Sequence, residues 1–231
     1  MYDEINLWII GTDSLGGGLK WIIFMKIRLT HKFEDIININ NLLLAWQEFI
    51  KDKGNKKDTQ EFKLNLIDNI INLHDDLNNL GYKHGGYQAF KINDPKPRNI
   101  HKAIVRDRLL HYAIYRMLYH FFDRTFIADS YSCRIGKANY KAINRFRSFV
   151  YKVSENNKKT VWVLKCDIRK FFDSIDHKVL INILRVYIPD QNIMWLLERI
   201  INSFCKTPNK GLPLGNLTSQ LFVNIYMNEF D

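Results

Sequence analysis

Cysteine is scarce in this 231-residue chain: Cys133, Cys166 and Cys205 are widely spaced, odd in number and never form a Cys-x-x-Cys pair. That excludes a disulfide framework and a cysteine zinc site, and it suits a reducing cytoplasm. Cys166 reads as a small buried residue. The seven histidines show no metal-ligand spacing. Proline is rare as well, with five residues, and there is no low-complexity tract, internal repeat or strong linker. Long apolar runs are missing. The stretch Leu15–Phe24 is apolar and glycine-rich, but its runs are too short for a bilayer, and Asp3, Glu4 and Asp13 precede it where a signal peptide would be positive. Acid is the minority charge, 24 Asp+Glu against 34 Lys+Arg, for a net charge of +10.

What is present points to a folded protein with a polyanionic partner. Hydrophobic residues make up 46% and aromatics 13%, which excludes a disordered chain. From Gly81 to Arg147 there are 14 Lys/Arg and 4 Asp/Glu, a surplus of 14 − 4 = +10 that equals the whole-chain excess. Tyrosine, phenylalanine and histidine are interleaved with it, as in nucleic-acid-binding surfaces.

Periodicity predicts helices over 36–50 and 62–80, the second carrying a stripe of Phe62, Leu66, Ile70, Leu73, Leu77 and Leu80, with Gly81 as its C-terminal cap. The segments 87–92 and 98–100 flank Asn-Asp-Pro-Lys-Pro and predict a β-hairpin with a rigid basic tip. Asp107 is placed to cap a helix over 108–122, and a further helix is expected to end near Tyr151. Asp176 and Asp190 are placed to cap helices ending near Tyr187 and Phe204; Asp173 reads as turn-forming. A last helix begins near Thr218 and should bury Leu221, Phe222, Ile225 and Tyr226.

Two segments carry the chemistry. Val161–Cys166 has strand propensity and delivers Asp167 to its end, ahead of Phe171, Phe172 and a polar turn. An acid at a strand end beside an aromatic floor suits a hard divalent cation, and a two-metal site requires several such acids. Some forty residues on, Gly211-Leu-Pro-Leu-Gly-Asn-Leu-Thr-Ser-Gln220 is a glycine-punctuated loop running into a helix, where Gly215 permits close backbone approach.

In this order and at this spacing the two segments resemble motifs A and B of the reverse transcriptase palm. The Leu-Gly-x-x-x-Ser-Gln form of Leu214–Gln220 is similar to that of diversity-generating retroelements. Asp94–Ile100, Arg106–Arg108 and Asp129–Lys137 resemble fingers motifs of the same family. The resemblance runs from about Leu42 to Asp231. It implies an α+β, helix-rich right-hand polymerase fold with a fingers β-hairpin and palm strands: an N-terminal extension of unknown role over 1–24, fingers over 25–155 and a partial palm over 156–231. It implies an RNA-directed DNA polymerase using Mg²⁺ and deoxynucleotides on an RNA template and RNA–DNA hybrid, with a small basic accessory protein, in the cytoplasm and without a membrane. By the same resemblance Asp167 and the Ile168 backbone carbonyl bind metal, and Phe172 is the gate against the ribose 2′-hydroxyl. Arg98 and Lys96 meet the triphosphate, Gly215 and Gln220 contact substrate, and Arg134 and Lys137 track the nucleic-acid backbone. Rival readings are a non-catalytic RNA-binding remnant and a group II intron or retron-type enzyme.

The family's Tyr-x-Asp-Asp motif does not follow Gln220; the one Asp-Asp pair is Asp75-Asp76, on an early helix. The thumb is also missing from these residues, and the sequence reads as a fragment of a longer enzyme, a truncated gene product or the N-terminal piece of a split one. Residues 1–231 by themselves are therefore expected to extend no primer, because one carboxylate cannot hold two dications. Supplying a Tyr-x-Asp-Asp segment and thumb should restore extension, and Asp167→Asn should abolish it again, in a primer-extension assay on an RNA template. Robust extension by the 231-residue chain would contradict this expectation.

Overall fold

A computed structural model describes residues 6–10, 22–51, 53–93 and 96–231. The hairpin-tip residues Asp94 and Pro95, and most of the apolar stretch before Met25, lie outside the described residues. Strands β1 (Asn6–Ile10) and β2 (Ile22–Lys26) pair antiparallel, Asn6 opposite Lys26.

The first predicted helix is two: α1 (Phe33–Ile37) and α2 (Ile39–Ile50). Asn38 divides them at φ −51°, ψ 131°, and its side chain accepts the Asn40 N–H, a local bond that competes with helix continuation. The second is also broken, into α3 (Lys57–Leu64) and α4 (Leu66–Asn78), with Asn65 at the junction. Ile70, Leu73 and Leu77 are buried as the stripe requires, but Leu80 is 44% exposed.

The end of α4 corrects the expected cap. The left-handed residue is Leu80 (φ 51°), not Gly81. Leu80 N–H donates to the Leu77 carbonyl (3.0 Å) and Gly81 N–H to Asp76 (2.8 Å), the bonding of a Schellman turn displaced by one residue.

Strands β3 (Tyr87–Asn93) and β4 (Pro97–Ala103) form the expected hairpin, with Phe90 opposite Ile100. Helix α5 (Val105–Asp123) starts three residues before expected. Asp107 therefore lies inside its first turn, fully buried, and does not cap it. Helix α6 (Asn139–Val153) follows a run of turns and contains no buried side chain.

Residues 161–167 form no strand in the structure. A strand is held by its ladder, and no described residue pairs with this segment. Trp162 and Leu164 stand 92% and 88% exposed, and Cys166, expected inside, is exposed.

A short helix α7 (Phe171–Ser174) precedes α8 (His177–Tyr187), α9 (Gln191–Ile201) and α10 (Leu217–Asn228). Asp176 and Asp190 cap α8 and α9 as expected, accepting from Val179 N–H (3.1 Å) and Ile193 N–H (3.0 Å). Asp190 also accepts the Phe33 N–H (3.0 Å), tying α1 to α9. Helix α10 buries Leu221, Phe222 and Ile225 and leaves Tyr226 half-buried. One apolar cluster runs from Leu29 through α2, α4, α5, α8 and α9 to Ile225. Among the described residues no helix is long and apolar enough to cross a membrane.

Leu80→Gly should raise stability. A side chain in the left-handed region costs about 1 kcal/mol relative to glycine, and part of this is offset by the entropy glycine adds to the unfolded chain. Urea denaturation should show a gain of about 0.5 kcal/mol, and a loss would contradict the account of the cap.

Candidate active-site cleft

The three sequence motifs converge on strand β4. His101 N–H donates to the Leu214 carbonyl (2.9 Å), so the glycine loop lies along the strand. Leu212 N–H donates to the Phe172 carbonyl and Gly211 N–H to Ile175, each at 2.8 Å, which joins the same loop to the Asp167–His177 segment. His177 closes the corner through Nε2 to the Gly211 carbonyl (2.7 Å). Gly215 has φ +111°, and a Cβ there would meet Ile100 Cγ2 at 2.9 Å, so both backbone angle and space require glycine.

Side chains alternate across a strand, so β4 serves two cavities. Asn99 and His101 line a cavity of about 260 Å³ with Phe171, Phe172 and Lys206, and Arg98, whose register puts it on the Ile100 face, also borders it near the tip. Lys170 and Asp173 also line it. Three cations against one acid make it positive. Burial, then the Lys206 charge, lower the pKa of His101, against the opposing pull of Asp173. Lys170 is left-handed (φ 51°) and turns the chain into Phe171–Phe172. These two rings meet edge to face, 6.4 Å apart, both half-buried.

The opposite face of the hairpin, Gln88, Phe90, Ile100 and Lys102, borders a second cavity of about 650 Å³. Lys53, Lys56, Arg108, Gly215, Asn216 and Gln220 also border it. Asp58 holds two of these cations: Lys102 Nζ at 2.7 Å, and Arg108. Burial pushes the Asp58 carboxyl up, but the Lys102 hydrogen bond and the charges of Arg108 and Lys102 outweigh it, and its pKa is lowered.

The expected site residues separate into three groups. Phe172 and Arg98 share the smaller cavity, Gly215 and Gln220 the larger. Lys96 is exposed beside the hairpin tip. Asp167 and Ile168 are exposed and line neither cavity. Arg134 is turned inward: its side chain is 5% exposed, donates to Asp123 Oδ1 (2.8 Å), and also donates to the carbonyls of Asp123, Ile127 and Ser130. Lys137 donates to the Ala128 carbonyl (2.5 Å). The basic surplus is likewise partly internal, since Lys102, Arg106, Arg108 and Arg116 pair with Asp58, Asp76 and Glu48 of α2–α4. Sequence reading missed Lys53, Lys56, Lys102 and Arg108 as cavity residues, and it missed the buried His84 and His111. Their signal was present only as unassigned cations and histidines.

The donor set does not by itself make a metal centre. Among the described residues no three His, Cys, Asp or Glu side chains cluster to hold an ion, and Asp167 offers a single carboxylate.

The chain is a helix-rich α+β fold with a β-hairpin over a basic, aromatic-floored cleft. Structures of a Cas6-RT-Cas1–Cas2 complex share this fold, with a TM-score of 0.53 at 22% identity over 93% of this chain and 24% of that one. The family profile described as "Reverse transcriptase (RNA-dependent DNA polymerase)" matches residues 91–231, and the chain belongs to that family. Its relatives include the putative COX1/OXI3 intron 2 protein of Saccharomyces cerevisiae, 24% identical over 84% of this chain and 23% of the relative. The uncharacterized 91 kDa protein in the cob intron of Schizosaccharomyces pombe is 27% identical over 64% of this chain and 17% of the relative. The group II intron-encoded protein LtrA of Lactococcus lactis subsp. cremoris is 32% identical over 30% and 13%. The chain thus spans at most about a quarter of the length of these three relatives.

His111, 1% exposed at the junction of α5 and α10, generates a pH prediction. Burial, and next the charge of His84, lower its pKa from 6.5 to about 3. Between those values the unfolded chain holds a proton that the folded chain does not, so stability is complete above about pH 6.5 and declines as pH falls toward 3. The slope is at most roughly 1.4 kcal/mol per pH unit. Urea denaturation between about pH 7 and pH 5 should give a shallower slope for His111→Gln than for the parent chain.

Proposed function

We propose that this chain is the fingers and part of the palm of an RNA-directed DNA polymerase that copies RNA into cDNA from deoxynucleotides. The observation that carries the reading is the shared cavity of Arg98 and Phe172, walled by a glycine loop hydrogen-bonded to both β4 and Phe172. A triphosphate suits its charge: Arg98 can take phosphate oxygens bidentately, with Lys170 and Lys206 beside it and Lys96 at the hairpin tip. Phe172 forms the floor on which the sugar rests, where a 2′-hydroxyl would clash.

The larger cavity, with Gly215, Gln220 and four cations, suits the template strand on the other face of the hairpin. Lys137 lies further along the same chain as a backbone contact. Arg134 contributes by holding the 123–135 turns that present Lys137. Asp167 and the Ile168 carbonyl are the ligands this chain would offer to Mg²⁺, which supplies charge stabilisation when bound.

The Leu214–Gln220 string makes the diversity-generating type the finer reading, with a structured template RNA and a small basic accessory protein as partners in the cytoplasm. A group II intron-type enzyme is the second reading, favoured by relatives named as intron-encoded proteins.

Nucleotide binding tests the site. Arg98→Ala should weaken binding of a deoxynucleoside triphosphate about tenfold, the loss of one charge-assisted pair worth about 1.4 kcal/mol. Phe172→Val should narrow the preference for deoxy- over ribonucleotides. Titration calorimetry of both triphosphates against the chain and each variant reads both effects. Unchanged discrimination in Phe172→Val would make Phe172 a core residue only.

A further inference from the structure

Beneath the hairpin a buried polar chain runs from α5 to the start of α10. Asp107 accepts from Tyr82 Oη (2.8 Å) and Gly85 N–H (2.7 Å), and a Cβ at Gly85 would press within 2.9 Å of its Oδ2. His84 Nδ1 lies 2.6 Å from the Gly85 carbonyl and 3.4 Å from Asp107 Oδ2. Its Nε2 faces His111 Nε2 at 3.3 Å and Tyr87 Oη at 3.2 Å. His111 Nδ1 faces Thr218 Oγ1 at 3.3 Å. Thr218 belongs to the Leu214–Gln220 string.

These partners assign the protons. The Gly85 carbonyl can only accept, so His84 Nδ1 carries hydrogen. Ser203 Oγ donates to the Ile200 carbonyl (2.6 Å), so it accepts the Tyr87 hydroxyl hydrogen at 2.7 Å. Tyr87 therefore has no hydrogen left for His84. When His84 is neutral, its bare Nε2 is satisfied by His111 Nε2–H alone. That leaves His111 Nδ1 bare, to accept from Thr218.

Burial keeps His111 neutral, consistent with its lowered pKa.

We infer that His84 and His111 are positioning residues: they form a hydrogen-bond relay from the Gly85 carbonyl to Thr218, with the His84 hydrogen on Nδ1 and the His111 hydrogen on Nε2, which orients the start of α10 beside Gly215. The titratable and charged groups facing His84 are Asp107 and His111 from α5, Tyr87 from β3, and Tyr82 from its own loop, with Arg106 stacked over Tyr82 at 5.2 Å. Its neighbours from the turn after α9 and from α10, Ser203 and Thr218, are neutral. The relay stands on this geometry and not on the polymerase reading, and its test needs no activity.

Histidine ring nitrogen NMR on the 231-residue chain reads the tautomers directly. At about pH 8, His84 should be protonated at Nδ1 only and His111 at Nε2 only; His111 protonated at Nδ1 there would overturn the inference. Thr218→Val removes the donor to His111 Nδ1 and should shift the Gly215 amide while His84 stays Nδ1–H; an unmoved Gly215 amide counts against the relay. Should that variant not fold, Ser203→Ala frees the Tyr87 hydroxyl to donate to His84 Nε2, and His111 should no longer be purely Nε2–H at about pH 8. A pure Nε2–H form in that variant would overturn the assignment.

Discussion

The backbone hydrogen bond from His101 to Leu214 is the joint on which the cleft depends. It lays the glycine loop along β4, and it exists because Gly215 lets the loop approach Ile100 without a side chain. From the other side, Leu212 and Gly211 bond to the carbonyls of Phe172 and Ile175. Three segments far apart in sequence are thereby fixed to one another through main chain, which is insensitive to side-chain identity and stiff. The two cavities follow from this: β4 stands between them, and its alternating side chains divide between a small aromatic-floored pocket and a larger basic one.

Beneath that joint the structure uses buried polarity where an apolar contact would have been simpler. Asp107 is fully buried and accepts two hydrogen bonds, and His84, His111, Tyr87 and Thr218 extend the chain of partners to α10. Buried polar groups cost stability unless paired, and pairing them fixes direction as well as distance. The hairpin base, α5 and α10 are thus held in one register, on the underside of the surfaces proposed to meet nucleotide and template.

The positive charge of the molecule is more structured than its total suggests. Lys102, Arg106, Arg108 and Arg116 reach acids on α2–α4, and Arg134 binds the turns after α5. The cations left at the cleft, Arg98, Lys170 and Lys206, stand beside Phe172, and Lys53 and Lys56 border the cavity on the far side of the hairpin. Position relative to the hairpin, not the count of basic residues, defines the candidate binding surfaces.

Local chemistry was legible from the residues alone. Asp176 and Asp190 cap helices because a short carboxylate before an amphipathic run can reach the first free amides. The 87–103 hairpin follows from two runs parted by prolines, and a glycine just ahead of a helix marks Gly215 as a point of close backbone approach. Breaks at Asn38 and Asn65 escaped the periodicity, since an apolar stripe continues across a residue whose backbone leaves the helix. Tertiary structure alone decided where Asp107 went, inward to Tyr82 and Gly85 and not onto a helix end, and which arginines face acids distant in sequence. It also left Val161–Asp167 without a strand, because strand propensity yields a strand only where a second backbone accepts its hydrogen bonds. Sequence determines what each segment can do locally; which partner each polar group meets depends on contacts that only the folded chain brings together.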